Sequence, residues 1–443
     1  MGVQGLLPFV SSASTEVSLE DYRGQTLACD ASVWLHRGAI SCARELAEGE
    51  PAVGFLRFPL RMIALLKRHG VRPLIVFDGG AMPMKARVDA ARAADRESAK
   101  ARGEFNKTVK ITAAMTQQLI ERLRQDGVEF VVAPFEADSQ LAFLVQHGHA
   151  AAALTEDSDL LAYRCPSVLF KLSESGHARR ITFAGLQHAQ DSKGQLLFDG
   201  AWEGEWAAWE GGLFVAMCIM AGCDYLPSVP GVGVATAHKA LRAGRTVERA
   251  LAKLHSKRSG PPAPVAAEAY LLHLRRCEAV FRHARVWDPA SSSVIPMHPL
   301  GRDGESSIFD FLGAPLTQAL AQQVCIDATR DPNSLQRYAG SLPGGPSDPG
   351  KQAIPPLPRR PDHAAQPLAS HLPPTRPSRS VYWEPQPSAA PPSETYRASQ
   401  HDAAAGVLPR SFARGLPILP ITPISDDFLR SFRRGRASTS SSS

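Results

Sequence analysis

The chain has 443 residues, 44% of them hydrophobic, which is enough for a large buried core and for two or three structural units. Charged residues make up 21% and the formal net charge is +6; from Ser341 onward 12 Lys/Arg stand against 7 Asp/Glu, so the part before it is nearly neutral. Any anionic partner of that part must therefore meet a local basic patch, and no general excess of charge. No apolar run approaches the roughly 18–20 residues that cross a bilayer. The start, Met1-Gly2-Val3-Gln4-Gly5-Leu6, lacks the features of a secretory leader or a myristoylation signal, so a soluble intracellular protein with no membrane partner is expected. Seven scattered cysteines without a CxxC pair argue against a disulfide framework and against zinc.

In chain order, residues 26–29 form the first expected strand, and Asp30 ends it. Residues 55–67 carry helical periodicity. Residues 74–77 are a second strand, followed at once by Asp78 in Leu74-Ile75-Val76-Phe77-Asp78-Gly79. A basic helical stretch then runs from Lys85 to Arg96, and a further helix covers 115–124. A third strand at 130–132 leads to Glu136 and Asp138, and a helix follows at 139–146. A fourth strand at 151–154 leads to Asp157 and Asp159, and a fifth is expected at 168–172. Strands alternating with helices specify an α/β fold with a mainly parallel sheet and flanking helices. Residues 213–270 read as mostly helical, broken by a Pro/Gly turn at 227–233, and helix returns at 266–285. Beyond about Gly340 the chain changes character. Roughly half of its 36 prolines fall there, with little apolar periodicity, so residues 339–443 are expected to be a disordered tail. The division expected is 1–100 and 101–240 for two catalytic regions, then 241–338 for a helical extension.

The acidic residues carry the chemistry. Strand C-terminal ends in a parallel sheet face one edge, where such folds place their sites. Asp30, Asp78, Glu136, Asp138, Asp157 and Asp159 would gather there, and Asp224 in Gly222-Cys223-Asp224-Tyr225 could join them from the helical part. Any one acid after a strand can be a plain helix cap or turn residue. Four successive strands ending in acid are harder to explain that way. Two carboxylates about 4 Å apart repel by roughly 4 kcal/mol at an effective dielectric near 20, so seven need cations. Oxygen ligands without Cys or His suit Mg²⁺ or Mn²⁺, and a pair of such ions is the usual device for phosphodiester hydrolysis.

Lys85, Arg92 and Arg96 return to nearly the same helical face and could hold a phosphate. Asp89, Asp95 and Glu97 interleave with them, so a solvated charged helix fits the same pattern. Ser228-Val229-Pro230-Gly231-Val232-Gly233 precedes a helix carrying His238 and Lys239. Backbone N–H groups of such a turn can approach a phosphate, although an ordinary tight turn explains it equally well.

At this point five ordered blocks resemble the flap-endonuclease and exonuclease-one family. They are Met1-Gly2-Val3-Gln4-Gly5-Leu6-Leu7-Pro8-Phe9, Val76-Phe77-Asp78-Gly79, Ala133-Pro134-Phe135-Glu136-Ala137-Asp138, Thr155-Glu156-Asp157-Ser158-Asp159-Leu160-Leu161 and Gly222-Cys223-Asp224-Tyr225. The first and last are similar to the exonuclease-one branch. The resemblance covers about residues 1–335. It implies a 5′-nuclease core of PIN-like type with a helix–two-turn–helix extension. It implies a Mg²⁺-dependent 5′→3′ DNA exonuclease with 5′-flap endonuclease activity, using two ions that Mn²⁺ can replace. Asp30, Asp78 and Glu136 would serve one ion, and Asp138, Asp157, Asp159 and Asp224 the other. Lys85 and Arg92 would contact the scissile phosphate, with Arg96 assisting. Gly2 would lie near the active site and His36 near the 5′ end of the DNA. Ser228, Gly231, Val232 and Gly233 would hold K⁺ and the duplex backbone. The implied substrate is DNA with a nick, gap, recessed 5′ end or 5′ flap, cut in repair or replication by a nuclear monomer.

The chain departs from the family at three places. Ser32 stands where the exonuclease branch usually has a stacking Tyr, Asp95 where a basic residue is usual, and the segment between Arg96 and Ile111 is shorter than the usual helical arch. The rivals are a flap endonuclease proper and a catalytically silent DNA-binding scaffold. In the tail, Ile424-Ser425-Asp426-Asp427-Phe428-Leu429-Arg430-Ser431-Phe432 faintly resembles a peptide that docks on a sliding clamp or a mismatch-repair protein. Arg433-Arg434-Gly435-Arg436 could assist nuclear import.

Overall fold

The strands expected at 26–29, 74–77, 130–132, 151–154 and 168–172 all form, within two residues at each end. The computed structural model describes residues 2–202, 212–229, 231–256, 264–300 and 307–338, so the expected tail at 339–443 lies outside the described residues. The main sheet has seven strands: β1 (Thr15–Ser18), β2 (Thr26–Asp30), β3 (Arg72–Phe77), β4 (Glu129–Val132), β5 (Ala152–Leu154), β6 (Ser167–Phe170) and β7 (His177–Thr182). Their order is β1-β7-β6-β5-β2-β3-β4. Strands β6, β5, β2, β3 and β4 run parallel. The chain steps from β2 outward through β3 to β4, then returns to the other side of β2 with β5. That reversal is the switch point where open α/β sheets place their sites.

Alternation along each strand builds two cores. Leu27, Cys29, Ile75, Phe77 and Leu154 face the helices Ala31–Ile40, Arg57–Arg68 and Ala113–Gln125. Ala28, Val76, Val131, Ala153 and Val168 face the other side, where the helices Ala137–Gln146, Leu213–Ala221 and Val234–Gly244 pack. Every residue of Leu213–Ala221 is buried, which is why its sequence is apolar all round. Burying one such side chain stabilises the fold by about 1.5–3 kcal/mol. All seven cysteines are free and buried. Among the described residues, no helix is long and apolar enough to cross a membrane.

Two parts differ from expectation. The outer strands β7 and β1 are antiparallel, at the edge beyond β6. Charged side chains such as Glu16 and Arg179 lie opposite one another on them, so neither reads as an apolar run. The extension at 241–338, expected to be helical, also contains a hairpin of β8 (Arg285–Asp288) and β9 (Ser293–Pro296). The buried Gln140 amide docks that hairpin on the core. It donates to the Trp287 carbonyl at 2.8 Å and accepts from the Trp287 N–H at 2.7 Å.

Candidate metal centre

Strands β5, β2, β3 and β4 are neighbours, and each delivers carboxylates to the same edge. Asp30 closes β2. Its Oδ1 accepts from the Ser32 and Val33 N–H groups at 2.9 and 3.3 Å, so it also caps the helix Ala31–Ile40. Its Oδ2 accepts from the Thr155 hydroxyl at 2.7 Å. Asp78 follows β3 and stays exposed. Its Oδ1 accepts from the Ala137 N–H at 2.9 Å and its Oδ2 from the Ser32 hydroxyl at 2.5 Å. Glu136 and Asp138 open the helix Ala137–Gln146 beyond β4. Beyond β5, Asp157 accepts from the Asp159 N–H at 2.9 Å, and Asp159 accepts from the Val3 N–H at 2.8 Å.

Asp224 enters from the end of the Leu213–Ala221 helix and is tied in by cations. Lys85 Nζ lies 2.6 Å from Glu136 and 3.1 Å from Asp224. Arg92 lies 2.6 Å from Asp224. Arg96, expected on the same face, is half-buried and joins neither pair. The helix Ala86–Ala101 is thus part of the site through its first two turns.

Crowding of like charge shows in the proton affinities. Burial, with Asp78 as the main repelling neighbour, pushes Asp30 up to about 7. Burial also raises Glu136 to about 7, against the pull of Lys85. Asp138 and Asp159 are pushed well up by burial and by Asp157. Asp157 is raised by burial, with the Asp159 N–H bond opposing. Burial alone would lower Lys85 and raise Asp224. Opposite charge wins in both cases: Glu136 and then Asp224 hold the Lys85 ammonium above its ordinary value, and Lys85 and then Arg92 hold the Asp224 carboxyl below its own.

Backbone close to the carboxylates leaves room only for glycine at two points. Gly2 has φ +79°, and a Cβ on it would stand 2.1 Å from Asp157 Oδ1. A Cβ on Gly79 would stand 1.8 Å from the Ala133 carbonyl. Ser32 and Thr155 escaped the sequence reading as partners of the acids. Thr155 bridges two strands, because its Oγ1 donates to Asp30 and accepts from the Asp157 N–H at 3.1 Å. The Thr155-Glu156-Asp157 spacing was the only available signal for it.

The other expected residues sit further out. His36 lies one turn beyond Ser32 on the same helix and is half-buried, and burial lowers its proton affinity. Ser228 packs on Gly222, whose Cβ would lie 2.9 Å from the Ser228 N. Val232 is buried, Gly231 is exposed with φ +76°, and Gly233 precedes the helix Val234–Gly244. Pro230, within that turn, lies outside the described residues. His238 is a core residue. Its ring stacks on Trp202 at 5.2 Å, and its Nε2 is 2.6 Å from the Leu197 carbonyl.

The residues fit hard divalent cations by chemistry. Seven oxygen donors meet at one edge with two cationic side chains, and Asp30, Glu136, Asp157 and Asp159 are at most 8% exposed. Among the described residues, no three Asp, Glu, His or Cys side chains stand ready to clasp an ion without moving. Lys85 lies between Glu136 and Asp224, and Asp30 and Asp78 each accept a hydroxyl, from Thr155 and Ser32.

Residues 1–99 match the XPG N-terminal domain and 127–224 the XPG I-region, which together contain all seven acids. The chain is 35% identical over 343 residues to Exonuclease 1 of Xenopus laevis, covering 74% of this chain and 45% of that protein. It thus spans about half the length of the curated relatives of that name. It is 30% identical to the DNA damage-inducible protein DIN7 of Saccharomyces cerevisiae over 67% of this chain and 69% of that one. Flap endonuclease-1 from Methanococcus jannaschii aligns at 20% identity and a TM-score of 0.43, over 63% of this chain and 84% of that one, too low to bear on the assignment. With its two XPG regions and relatives of this identity, the chain belongs to the exonuclease 1 branch of the XPG and flap-endonuclease family.

Proposed function

We propose that the chain is a Mg²⁺-dependent 5′→3′ DNA exonuclease that also cuts 5′ flaps with the same site. One observation carries the reading: six carboxylates from four adjacent strands meet at one sheet edge together with Asp224, beside Lys85 and Arg92. Asp30, Asp78 and Glu136 would hold one Mg²⁺, and Asp138, Asp157, Asp159 and Asp224 a second, with Mn²⁺ able to replace both. When bound, the ions supply Lewis-acid polarisation of the phosphodiester and a more acidic attacking water.

The chain's own groups position and discriminate. Lys85 and Arg92 are paired with Glu136 and Asp224, so a phosphate oxygen competes with those carboxylates for them. On arrival they hold the phosphate and stabilise charge that develops on it. Arg96, half-buried one turn further, extends that grip along the strand. Gly2 keeps backbone thin beside Asp157, which leaves the phosphate room. His36 lines the approach of the 5′ end. The turn containing Ser228, Gly231, Val232 and Gly233 would hold K⁺ and the duplex backbone, giving affinity without reading sequence. The setting would be a monomer in the nucleus, acting on nicked, gapped, recessed or flapped DNA. The tail at 424–432 would be the docking segment for sliding-clamp or mismatch-repair partners.

The test is cleavage of a duplex with a recessed, labelled 5′ end, and of a labelled 5′ flap, in Mg²⁺ and in EDTA. Mg²⁺-dependent release of mononucleotides supports the exonuclease, and one flap-length product supports a flap endonuclease instead. Asp157→Ala should abolish cleavage with DNA binding retained. Wild-type protein that binds DNA without cutting it would move the scaffold reading to first place.

A further inference from the structure

The last described stretch of the chain folds back onto the site. Residues 329–338 close a small loop through an antiparallel bridge between Arg330 and Arg337. Within it, the Tyr338 N–H donates to the Thr329 carbonyl at 3.0 Å, and Arg330 donates to the Leu335 carbonyl at 2.6 Å. Its base is fastened to the helix Ala113–Gln125. The Gln117 amide donates to the Ala328 carbonyl at 3.3 Å, and Arg124 donates to the Asp327 carbonyl. At its tip Asp331 Oδ1 accepts from the Asn333 and Ser334 N–H groups at 2.9 and 2.8 Å, which orients Asn333.

Asn333 Oδ1 then accepts the backbone N–H of Ala81 at 2.7 Å. Ala81 lies in the segment that joins Asp78 to Lys85. The inner side of that segment is also held, because the Gly79 and Gly80 N–H groups donate to the Phe135 and Pro134 carbonyls at 2.6 and 3.0 Å. Those carbonyls sit immediately before Glu136. The segment is thus clamped between the approach to one carboxylate and the tip of the terminal loop. A cavity of about 160 Å³, lined by Asp78, Gln117, Arg330, Asn333 and Tyr338 among others, lies behind the tip. Pro332 at the tip also packs on the segment, where a Cβ on Gly80 would stand 3.0 Å from its carbonyl oxygen, and the Asn333–Ala81 bond adds a directional tie beside that contact.

We infer that Asn333 is a positioning residue for the nuclease site. Through Ala81 it holds the segment that presents Asp78 at one end and Lys85 at the other. This rests on the function proposed above, since the two ends matter together only if both serve a phosphate and its cations. A misplacement of about 1 Å can cost two orders of magnitude in rate, so loss of one clamp should be visible in turnover.

The experiment compares the full chain with Asn333→Ala and with Asn333→Asp, which keeps an acceptor for the Ala81 N–H. Two readouts are taken: kcat and KM on a duplex with a recessed 5′ end, and the Mg²⁺ concentration at the midpoint of the Mg²⁺-induced rise in melting temperature. Asn333→Ala should lower kcat about tenfold with KM within about twofold, and raise the Mg²⁺ midpoint about threefold or more. Asn333→Asp should stay within about twofold of wild type on both readouts. Wild-type values for Asn333→Ala, or equal losses in the two variants, would overturn the inference. If wild type binds Mg²⁺ but does not cut, the nuclease reading fails, while the melting midpoint still decides the role of Asn333.

Discussion

Thr155→Val exchanges a hydroxyl for a methyl of similar size at a position 2% exposed. Two hydrogen bonds go with it: the donation to Asp30 Oδ2 at 2.7 Å and the acceptance from the Asp157 N–H at 3.1 Å. A hydrogen bond to a charged group is worth about 1.5–3 kcal/mol, and a buried N–H left unpaired costs about 1–3 kcal/mol. A loss on the order of 3 kcal/mol follows once some relaxation is allowed, and for a folded unit of over 300 residues, at about 2.1 cal/mol/K of unfolding entropy per residue, that is a fall of about 4 °C in Tm. Catalysis should change in a defined direction as well. The Thr155 bond favours the ionised form of Asp30, so its removal raises the pH at which Asp30 gives up its proton. The acid limb of the pH–rate profile should therefore move to higher pH. Thr155→Ser keeps the hydroxyl and should restore both properties. Melting curves in EDTA and initial rates in Mg²⁺ from pH 5 to 9 measure the two effects. A Val variant that melts with wild type and keeps its acid limb, or a Ser variant as damaged as Val, refutes the bridging role.

Gly2→Ala places a methyl 2.1 Å from Asp157 Oδ1 at φ +79°, so cleavage should drop about a hundredfold or more with little change in melting temperature; near-wild-type turnover would show that the N-terminal segment moves aside. For pH, the sign follows from the raised carboxyls Asp30 and Glu136, both pushed up to about 7. The folded state keeps protons that the unfolded state has released, so metal-free stability falls as pH rises from the ordinary carboxylate range through about 7. Mg²⁺ should therefore raise the melting temperature more at pH 8 than at pH 5.5, and an equal gain at both would contradict the crowding described above.

The parallel centre of the sheet was legible because its strands are continuous apolar runs, such as Leu74-Ile75-Val76-Phe77, each ending in acid. Strands β1 and β7 were not, because these outer antiparallel strands carry Glu16, Arg179 and Arg180 among their apolar positions. Six of the seven acids stood out by their place after strands, and Asp224 follows the Leu213–Ala221 helix instead. Their partners did not: Ser32, Thr155 and Asn333 are ordinary small polar residues whose roles depend on contacts 46, 125 and 252 residues away. Ser32 is the instructive case. As the replacement for a usual Tyr it read as the loss of a stacking group, whereas here its hydroxyl donates to Asp78. The hairpin β8–β9 pairs Trp287 with Val294, but what docks it on the core is the Gln140 side chain 147 residues away, a contact with no local signal.

The pairing of β3 with β4 has a consequence for how the chain tolerates change. Asp78 and Glu136 are held in place by that ladder, with Leu74 opposite Glu129 and Phe77 opposite Val132. The long connection between the two strands therefore does not set their separation. It reverses direction at Gly103, which has φ +70° and open space around its Cβ position. Each doubling of a flexible loop costs only about 0.6 kcal/mol, so extra residues spliced in beside Gly103 should leave the carboxylates where they are. Arch length is in that sense a separate variable from the site itself, free to be lengthened or trimmed while the acids stay put.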